Sequence, residues 1–488
     1  MNSIFAKQFS NSILILVLTF ISTVYTQVDI LWTKKFGGIG TDRGFSIKET
    51  VDNGFIITGT TSSFDAGNQD VWLIKTNAFG DTLWTKTFGG TNYDAGESIQ
   101  QTLDGGYIIA GITSSFGAGS KDVWLIKTDA FGDTLWTKTF GGTNYDRGNA
   151  VQQTSDGGYI ITGGTSSFGT SNQDVWLIKT NTSGDTLWTK TFGRVGYNGG
   201  YSVQQTLDDG YILVGYKSPY PVSYSDIWLI KTNTYGDTLW TKTFGGSEED
   251  MGFSVQQTTD GGYVIVGHTV SFGNGNSDIW LIKTNASGDT LWTKTFGGFY
   301  DDQARSVQQT TDNGYIITGR TSSFGIWDIW LIKTNTNGDI IWTKTFDGTG
   351  YDEGYSVQQT TDGDYIVVGE TDSVYNRNVD LWVIKTTSMP NKIKQNYYTN
   401  ILDFTLYQNY PNPFNPVTTI NYILKNSSYV KLSVFDITGR EVKILVNKYQ
   451  SGGEYSVLFK PSNLASGIYI YKLRIGPFEQ TRKMMLLR

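Results

Sequence analysis

The chain repeats one unit seven times, and this periodicity limits the possible folds more than any other feature. A tryptophan in an L-W-T-K or I-W-T-K motif recurs at intervals of 52 residues, with one interval of 50. These residues are Trp32, Trp84, Trp136, Trp188, Trp240, Trp292 and Trp342. A second set has the same period and consists of Trp72, Trp124, Trp176, Trp228, Trp280, Trp330 and Trp382. Such periodicity is typical of folds that stack copies of one supersecondary unit.

Each repeat is predicted to form four short antiparallel strands. In the second copy the β-forming runs are Ser98–Thr102, Gly106–Gly111, Asp122–Thr128 and Thr134–Phe140. Asp-Gly and Gly-Asp pairs lie between them and supply the positive φ that tight hairpins need. Four strands at a period of about 50 residues indicate the blade of a β-propeller.

The ends of the repeat region indicate how the ring closes. A lone fourth strand, Leu31–Phe36, precedes the first complete repeat, and the last repeat ends after its third strand, Leu381–Lys385. We expect the N-terminal strand to complete the last blade. The predicted fold class is therefore all-β, with a seven-bladed β-propeller over residues 27–386. Residues present in every copy, including the tryptophans and the lysine that follows Trp-Thr, are expected to be structural.

Composition excludes several classes of function. The chain has no cysteine, which excludes disulfides and thiolate sites, and its single histidine, His268, excludes a two-histidine zinc site. The net charge of −7 is uneven, because residues 401–488 carry 11 Lys and Arg against 5 Asp and Glu. The preceding part of the chain is thus acidic and would repel a phosphate backbone, so nucleic acid is not an expected partner.

The first 26 residues are predicted to be a secretory signal peptide. Lys7 precedes an apolar run from Ile13 to Val24, and polar residues follow up to Thr26. This is the order of a charged region, an apolar region and a cleavage site. The run is shorter than the roughly 20 residues of a spanning helix, although an uncleaved anchor is an alternative. We expect no transmembrane segment in the mature chain.

The composition changes after the last repeat. Residues 387–406 contain Met389-Pro390 and are rich in Asn, Tyr and Lys, which indicates a linker. Residues 407–488 alternate between strand and turn signals, which predicts an Ig-like β-sandwich.

This last domain resembles the type A C-terminal sorting domain of the type IX secretion system of Bacteroidetes-type bacteria. The resemblance is carried by Pro411-Asn412-Pro413, by Val434–Arg440 with Asp436, Gly439 and Arg440, by Leu464–Tyr469 with Gly467 and Tyr469, and by Arg482–Arg488 with Lys483. It implies binding to the type IX translocon and its sorting machinery. The protein would then be secreted, or attached to the outer-membrane surface of a Gram-negative bacterium. An ordinary Ig-like adhesion module is the alternative.

A second resemblance concerns the repeats. The segment between the third and fourth strands, for example Ile74–Trp84, resembles the G-x-x-x-W docking segment of quinoprotein-type propellers. This implies propeller geometry only. Quinoprotein dehydrogenases carry a vicinal disulfide at the cofactor, and a chain without cysteine cannot supply it, so no quinone cofactor is expected.

Two sets of residues are candidates for ligand binding, on loops where the copies differ. Arg320 and Trp327 break the pattern in the sixth repeat, and Tyr216, Tyr220 and Tyr224 break it in the fourth. Exposed aromatic side chains suit stacking on sugar rings or contact with a protein, and ordinary loop residues are the alternative.

An aspartate precedes the innermost strand in six repeats. These residues are Asp42, Asp94, Asp146, Asp250, Asp302 and Asp352. A ring of such oxygen ligands could hold Ca²⁺, the one cofactor that we consider. The alternative is a turn in which each carboxylate accepts nearby backbone N–H groups.

No catalytic motif stands out from the repeat, so we expect a binding protein rather than an enzyme. The expected ligand is an extracellular glycan or a surface protein. One alternative is a polysaccharide hydrolase or lyase with its acids on the loops. Another is a rigid surface scaffold without a small ligand.

Overall fold

The structure is a computed structural model that describes residues 28–64, 67–170, 172–218, 224–348, 350–372, 378–388, 404–424, 427–461, 464–475 and 478–487. The predicted signal peptide and residues 389–403 of the predicted linker lie outside these ranges. The chain divides into two units, Met1–Lys392 and Ile393–Arg488.

The described part of the first unit consists of β-strands joined by short loops. In chain order the first half comprises β1 (Ile30–Phe36), β2 (Asp42–Glu49), β3 (Phe55–Thr61), β4 (Asp70–Thr76), β5 (Thr82–Phe88), β6 (Asp94–Gln101), β7 (Tyr107–Thr113), β8 (Asp122–Thr128), β9 (Thr134–Phe140), β10 (Asp146–Gln153), β11 (Tyr159–Thr165), β12 (Asp174–Thr180), β13 (Thr186–Phe192) and β14 (Tyr197–Gln205). The second half comprises β15 (Tyr211–Ser218), β16 (Asp226–Thr232), β17 (Thr238–Phe244), β18 (Asp250–Gln257), β19 (Tyr263–Thr269), β20 (Asp278–Thr284), β21 (Thr290–Phe296), β22 (Asp302–Gln309), β23 (Tyr315–Thr321), β24 (Asp328–Thr334), β25 (Ile340–Phe346), β26 (Asp352–Gln359), β27 (Tyr365–Asp372) and β28 (Val379–Thr386).

These strands form repeated four-stranded antiparallel sheets. Six sheets are built from consecutive strands, from β2-β3-β4-β5 to β22-β23-β24-β25. A seventh joins β26, β27 and β28 to β1, which pairs with β28 from Ile30–Thr386 to Phe36–Leu381. The N-terminal strand is therefore the fourth strand of the last sheet.

Neighbouring sheets share their hydrophobic cores. Strands such as β3 and β4 are buried along their whole length, since apolar side chains point to both faces. One core cluster combines Val71 of the first sheet with Tyr107 of the second. Another combines Phe55 of the first sheet with Val368 and Leu381 of the last.

The recurring tryptophans and lysines connect neighbouring sheets. Trp84 in β5 packs against Tyr107 of the next sheet, with 6.0 Å between the ring centres. Lys86 of the same strand donates to Asp133 of the next sheet at 2.7 Å. Six of the seven recurring lysines, which we expected to be structural, form such an ion pair between sheets.

The second unit consists of two small antiparallel sheets around one core. Its strands are β29 (Phe404–Leu406), β30 (Thr418–Leu424), β31 (Ser428–Phe435), β32 (Glu441–Gln450), β33 (Gly453–Phe459), β34 (Gly467–Ile475) and β35 (Phe478–Leu486). The sheets have the orders β29-β30-β33 and β32-β31-β34-β35. Tyr422 and Tyr471, one from each sheet, are fully buried in the common core. β29 lies in the segment that the sequence assigned to the linker, and Phe404 is part of this core.

Candidate functional site

The inner strand of each sheet has one end that differs between repeats and one that does not. The inner strands are β2, β6, β10, β14, β18, β22 and β26, and side chains from all seven line one cavity. We call the end at Thr41, Arg43, Phe45 and the equivalent residues the variable end. The other end leads into the recurring Asp-Gly or similar turns, such as Asp52-Asn53-Gly54, and is called the turn end.

A β-bulge near the variable end releases one residue of every inner strand from regular pairing. In β2 the register shifts between Gly44 and Ser46, which leaves Phe45 as the extra residue. The bulge residues of the seven sheets are Phe45, Glu97, Asn149, Tyr201, Phe253, Arg305 and Tyr355. Bulges commonly redirect side chains next to functional sites. Here the redirected side chain differs in chemistry from sheet to sheet, although the flanking residues largely repeat.

The cross-strand pair beside each bulge also varies. These pairs are Arg43–Thr60, Ala95–Ile112, Arg147–Gly164, Gly199–Tyr216, Met251–His268, Gln303–Arg320 and Glu353–Glu370. From this set the sequence analysis selected only Tyr216 and Arg320 as ligand residues and did not select the others. Aligning the seven repeats column by column would have revealed them, because these columns vary while their neighbours do not.

Buried carboxylates bind arginines at the variable end. Glu353 accepts from Arg305 at 2.6 Å and from Arg320 at 3.1 Å, while Glu370 accepts from Arg43 at 2.5 Å. Burial raises the pKa of Glu370, an effect that Arg43 only partly offsets.

The hydroxyl of Tyr355 links the two carboxylates. It donates to Glu370 at 3.0 Å and lies 3.4 Å from Glu353. Burial and the negative charges of these neighbours raise the pKa of Tyr355 well above its usual range. The phenol therefore stays protonated and serves as a hydrogen-bond donor.

Aromatic rings lie among these charges. Phe45 packs against Tyr355 with ring centres 5.1 Å apart, and Tyr201 packs against Phe253 at 4.8 Å. The guanidinium of Arg305 lies 4.4 Å from the centre of Phe253. The variable end thus combines ring faces with guanidinium groups.

Glu97 and Arg147 lie near each other at the variable end without forming an ion pair. No ion pair or hydrogen bond joins the Glu97 carboxylate to other described residues, and burial raises its pKa despite the positive charges of Arg147 and Lys121. The Nε of Arg147 is buried without a hydrogen-bond partner, and its guanidinium lies 5.2 Å from the ring centre of Tyr201. Unpaired polar groups of this kind are costly and call for an explanation.

The two predicted ligand residues of the sixth repeat, Trp327 and Arg320, contact each other and Tyr351. Trp327 lies on Tyr351 with ring centres 5.1 Å apart and planes 27° from parallel. The guanidinium of Arg320 lies 4.6 Å from the Trp327 ring and donates to the hydroxyl of Tyr351. Tyr351 therefore covers one face of the Trp327 ring, and the Trp327 side chain as a whole is half-buried.

The predicted ligand tyrosines of the fourth repeat do not form one group. Tyr216 lies 5.8 Å from Tyr201 and donates to Gln173 at 3.2 Å, so it belongs to the variable end. Tyr224 is exposed, and Tyr220 lies outside the described residues. His268 is buried beside Phe253, 3.4 Å from the carboxylate of Glu249.

The predicted metal-binding aspartates are buried at the starts of their inner strands. Asp94 accepts from the backbone N–H of Gly90 at 2.9 Å and from the hydroxyls of Thr113 and Ser115 at 2.5 and 2.6 Å. The other five are Asp42, Asp146, Asp250, Asp302 and Asp352, all without exposed area. The contacts of Asp94 are those of the turn alternative, and Ca²⁺ binding stays a prediction.

One acidic cluster departs from this pattern. Oxygens of Asp328, Asp347 and Asp352 lie within 4.8 Å of one another at the junction of the last two sheets. Burial, together with the charge of Asp347, raises the pKa of both Asp328 and Asp352.

A larger cleft is lined by residues of the outer strands β21 and β25. It has a volume of about 600 Å³ and is lined by Phe296, Phe324, Trp330 and Ile340 of the fifth and sixth sheets. Lys344 is the only charged residue in this lining, and the other polar side chains are those of three threonines, Thr295, Thr343 and Thr345.

The sorting-domain motifs join the ends of the second unit. Asn412 accepts from the N–H of Met485 at 2.8 Å, which ties Pro411-Asn412-Pro413 to β35, the strand that contains Lys483. Asp436 accepts from the N–H groups of Thr438 and Arg440 in the turn at Gly439.

The motif at Leu464–Tyr469, which leads into β34, contains an internal hydrogen bond. The hydroxyl of Tyr469 donates to the carbonyl of Ala465 at 2.9 Å, and Gly467 begins β34. Arg488 lies outside the described residues.

Comparison with known families identifies the second unit. Residues 408–487 match the secretion system C-terminal sorting domain. The match indicates export by the type IX secretion system, interaction with its machinery, and a protein that is secreted or at the cell surface. No helix in the described ranges is long and apolar enough to cross a membrane.

Similarity to other proteins is distant. A stretch of 112 residues is 23% identical to the regulatory protein FlaEY of Caulobacter vibrioides and covers 20% of this chain and 12% of that protein. A fungal alcohol oxidase of the AA5 family is 10% identical, with 95% of this chain and 100% of that chain covered and a TM-score of 0.47. PorZ, a surface component of the type IX secretion system of Porphyromonas gingivalis, is 10% identical, with coverages of 93% and 60% and a TM-score of 0.42. Structural similarity at this level carries no argument about function.

Proposed function

We propose that the seven sheets are the blades of a closed β-propeller and that its variable end binds an extracellular ligand. Closure is supported by the pairing of β1 with β28 and by the core that Phe55 shares with Val368 and Leu381. It is also supported by the ion pair of Lys34 with Asp81 at 2.9 Å, which repeats between the last and first sheets the contact seen elsewhere between neighbours.

Matched tryptophan variants test closure. Trp32 contacts Phe55 across the proposed closing interface at 5.9 Å, and Trp84 contacts Tyr107 across an ordinary interface at 6.0 Å. In a closed ring, Trp32→Ala and Trp84→Ala should each reduce the free energy of unfolding by about 2 kcal/mol, the value for a large, partly buried side chain. The measurement is urea unfolding followed by tryptophan fluorescence. A Trp32→Ala variant as stable as wild type would contradict closure.

The ligand that we propose is a glycan with acidic groups. The side chains of Arg43 and Arg305 are 38% and 25% exposed, whereas their partners Glu370 and Glu353 are 7% and 3% exposed. A ligand would therefore meet guanidinium groups first, and these favour carboxylates and sulfates. The neighbouring ring faces suit sugar rings. The alternative ligand for these arginines and aromatic rings is an acidic segment of a surface protein.

The observation that carries this proposal is the unpaired Nε of Arg147 near the Glu97 carboxylate. Both lie on inner strands at the variable end, where the Nε of Arg147 is buried without a hydrogen bond and the half-buried Glu97 carboxylate forms no ion pair with the described residues. A bound ligand that offers both a donor and an acceptor would satisfy them, as a hydroxylated acidic sugar does.

Binding of polysaccharides to the full chain tests the proposal. We expect a thermal-shift response to uronate-containing or sulfated polysaccharides, because a ligand at 100 times its Kd stabilises a protein by about 2.7 kcal/mol. Arg147→Gln should weaken binding at least tenfold. Lys138→Gln, which removes one positive charge from the outer strand β9, is the matched control. Equal binding by both variants, or no binding by wild type, would overturn the proposal.

Catalysis is the second candidate function. Glu353 and Glu370 converge on Tyr355, and two carboxylates at a defined separation are what a glycosidase needs. Each carboxylate is already bound by an arginine, however, and the phenol stays protonated, so we favour binding. Release of reducing ends from an acidic polysaccharide, abolished in Glu353→Gln, would establish the enzyme instead.

A further inference from the structure

We infer that the cavity at the turn end of the inner strands binds a small oxyanion such as phosphate or sulfate. The cavity has a volume of about 350 Å³ and receives side chains from all seven inner strands. The residues around it are mostly serine, glutamine and valine, and no acidic residue lines it within the described part of the chain. This site is separate from the variable end and shares no residue with the site proposed above.

A ring of glutamines is fixed so that its amide nitrogens remain available. The Oε1 of Gln100 accepts the backbone N–H of Gln153 in the next sheet at 2.6 Å. The same contact fixes Gln152, Gln204, Gln256 and Gln308 at 2.6 Å and Gln358 at 3.0 Å. A backbone N–H can only donate, so the amide oxygen must face it. The six NH₂ groups make no hydrogen bonds to other described residues and are left as donors.

The serines of the ring are oriented in the same way. The Oγ of Ser98 accepts the N–H of Val151 at 3.2 Å, and that of Ser254 accepts the N–H of Val307 at 3.3 Å. Because the oxygen is engaged as an acceptor, the hydroxyl hydrogen remains free to donate. The polar groups that line the cavity are therefore predominantly donors.

Lys48 occupies the seventh position of the glutamine ring. Its amine has neither an ion pair nor a hydrogen bond among the described residues, and it lines the cavity. Burial lowers the pKa of Lys48, and no carboxylate offsets this effect. An amine in a ring of amide and hydroxyl donors lacks an acceptor, and a small oxyanion supplies one to all of them.

The test measures anion binding by the full chain. Isothermal titration with inorganic phosphate and with sulfate is compared with chloride at equal ionic strength, and thermal midpoints are recorded at the same low millimolar concentrations. Lys48→Gln is the principal variant because it completes a ring of seven glutamines. Its new amide oxygen can accept the N–H of Gln101, so the fold should be retained. We expect wild type to bind phosphate or sulfate, and Lys48→Gln to bind at least tenfold more weakly.

A second variant separates charge from shape. Lys48→Arg keeps a cationic donor at this position and should retain binding within a few-fold. Unchanged binding in Lys48→Gln overturns the inference, as does wild type that responds to phosphate and sulfate no more than to chloride. Because Arg147→Gln does not alter this cavity, loss of glycan binding and loss of anion binding are distinguishable.

Discussion

The two ends of each inner strand share one backbone framework but differ in how much their side chains vary between sheets. At the turn end, Asp104 accepts from Thr102 at 2.5 Å, from Gly106 at 3.0 Å and from Lys127 at 2.9 Å. Equivalent Asp–Lys pairs recur in all seven sheets. At the variable end, the bulge residues range from Glu97 to Arg305. Recurring contacts are also found at the variable end, where buried aspartates begin six of the inner strands, but only there do the bulge residues and their cross-strand neighbours differ between sheets.

The largest expected effect comes from a glycine next to the bulge. Gly163 pairs with Gly148, and a Cβ at this position would lie 1.9 Å from the backbone oxygen of Arg147. All seven sheets have glycine here, with corresponding distances of 1.8 to 2.0 Å. Because backbone cannot yield as a side chain can, Gly163→Ala should reduce the free energy of unfolding by about 3 kcal/mol. Urea unfolding measures this change.

The adjacent residue is the matched control. Gly164 belongs to a varying column, and its added Cβ would meet only the side chain of Gln173 as its nearest neighbour. Gly164→Ala should change stability by about 0.5 kcal/mol or less, since the side chain can move and alanine restricts the unfolded chain. Equal losses in the two variants would remove the distinction between recurring and varying positions.

The bulge also explains which parts could be predicted from the sequence. Period and turn residues predicted four strands per repeat, because both are local signals. Regular alternation from Ser46 and Lys48, which line the cavity, would place Gly44 on the same face. A Cβ at Gly44 would instead point at Val368 and Leu381 of the neighbouring sheet. The bulge shifts the phase, so the residues that face the variable end could not be assigned by alternation.

The candidate ligand residues were chosen because they break the repeat pattern, and ligand binding by them stays a prediction. Trp327 stood out because it lies outside the recurring tryptophans, yet it packs on Tyr351. Arg147 and Glu97 did not stand out, because each resembles an ordinary strand residue until the copies are compared and the unpaired Nε of Arg147 is seen.

A smaller effect is expected at the turn end. Burial alone would raise the pKa of Asp260, but hydrogen bonds from Lys283, Thr258 and Gly262 outweigh it and lower the pKa to about 2. The unfolded value is about 3.9, so the ionised carboxylate stabilises the fold fully above about pH 4. This contribution is lost as the pH falls towards 2. The Asp260 side chain is 57% exposed, so we expect Asp260→Asn to cost only about 1 kcal/mol at pH 7.

The pH dependence of this cost distinguishes the ion pair from other effects of the substitution. The stability difference between wild type and Asp260→Asn should be constant from about pH 5 to 7 and should shrink below about pH 4, as the wild-type carboxylate becomes protonated. Asp289 lies in the same sheet as Asp260 and is the exposed partner of Lys242 in the neighbouring sheet, so Asp289→Asn should leave the urea midpoint nearly unchanged. A difference that persists at pH 2 would show that the aspartate acts through its shape and hydrogen bonds. The recurring Asp–Lys pairs would then stabilise the repeat without their charge.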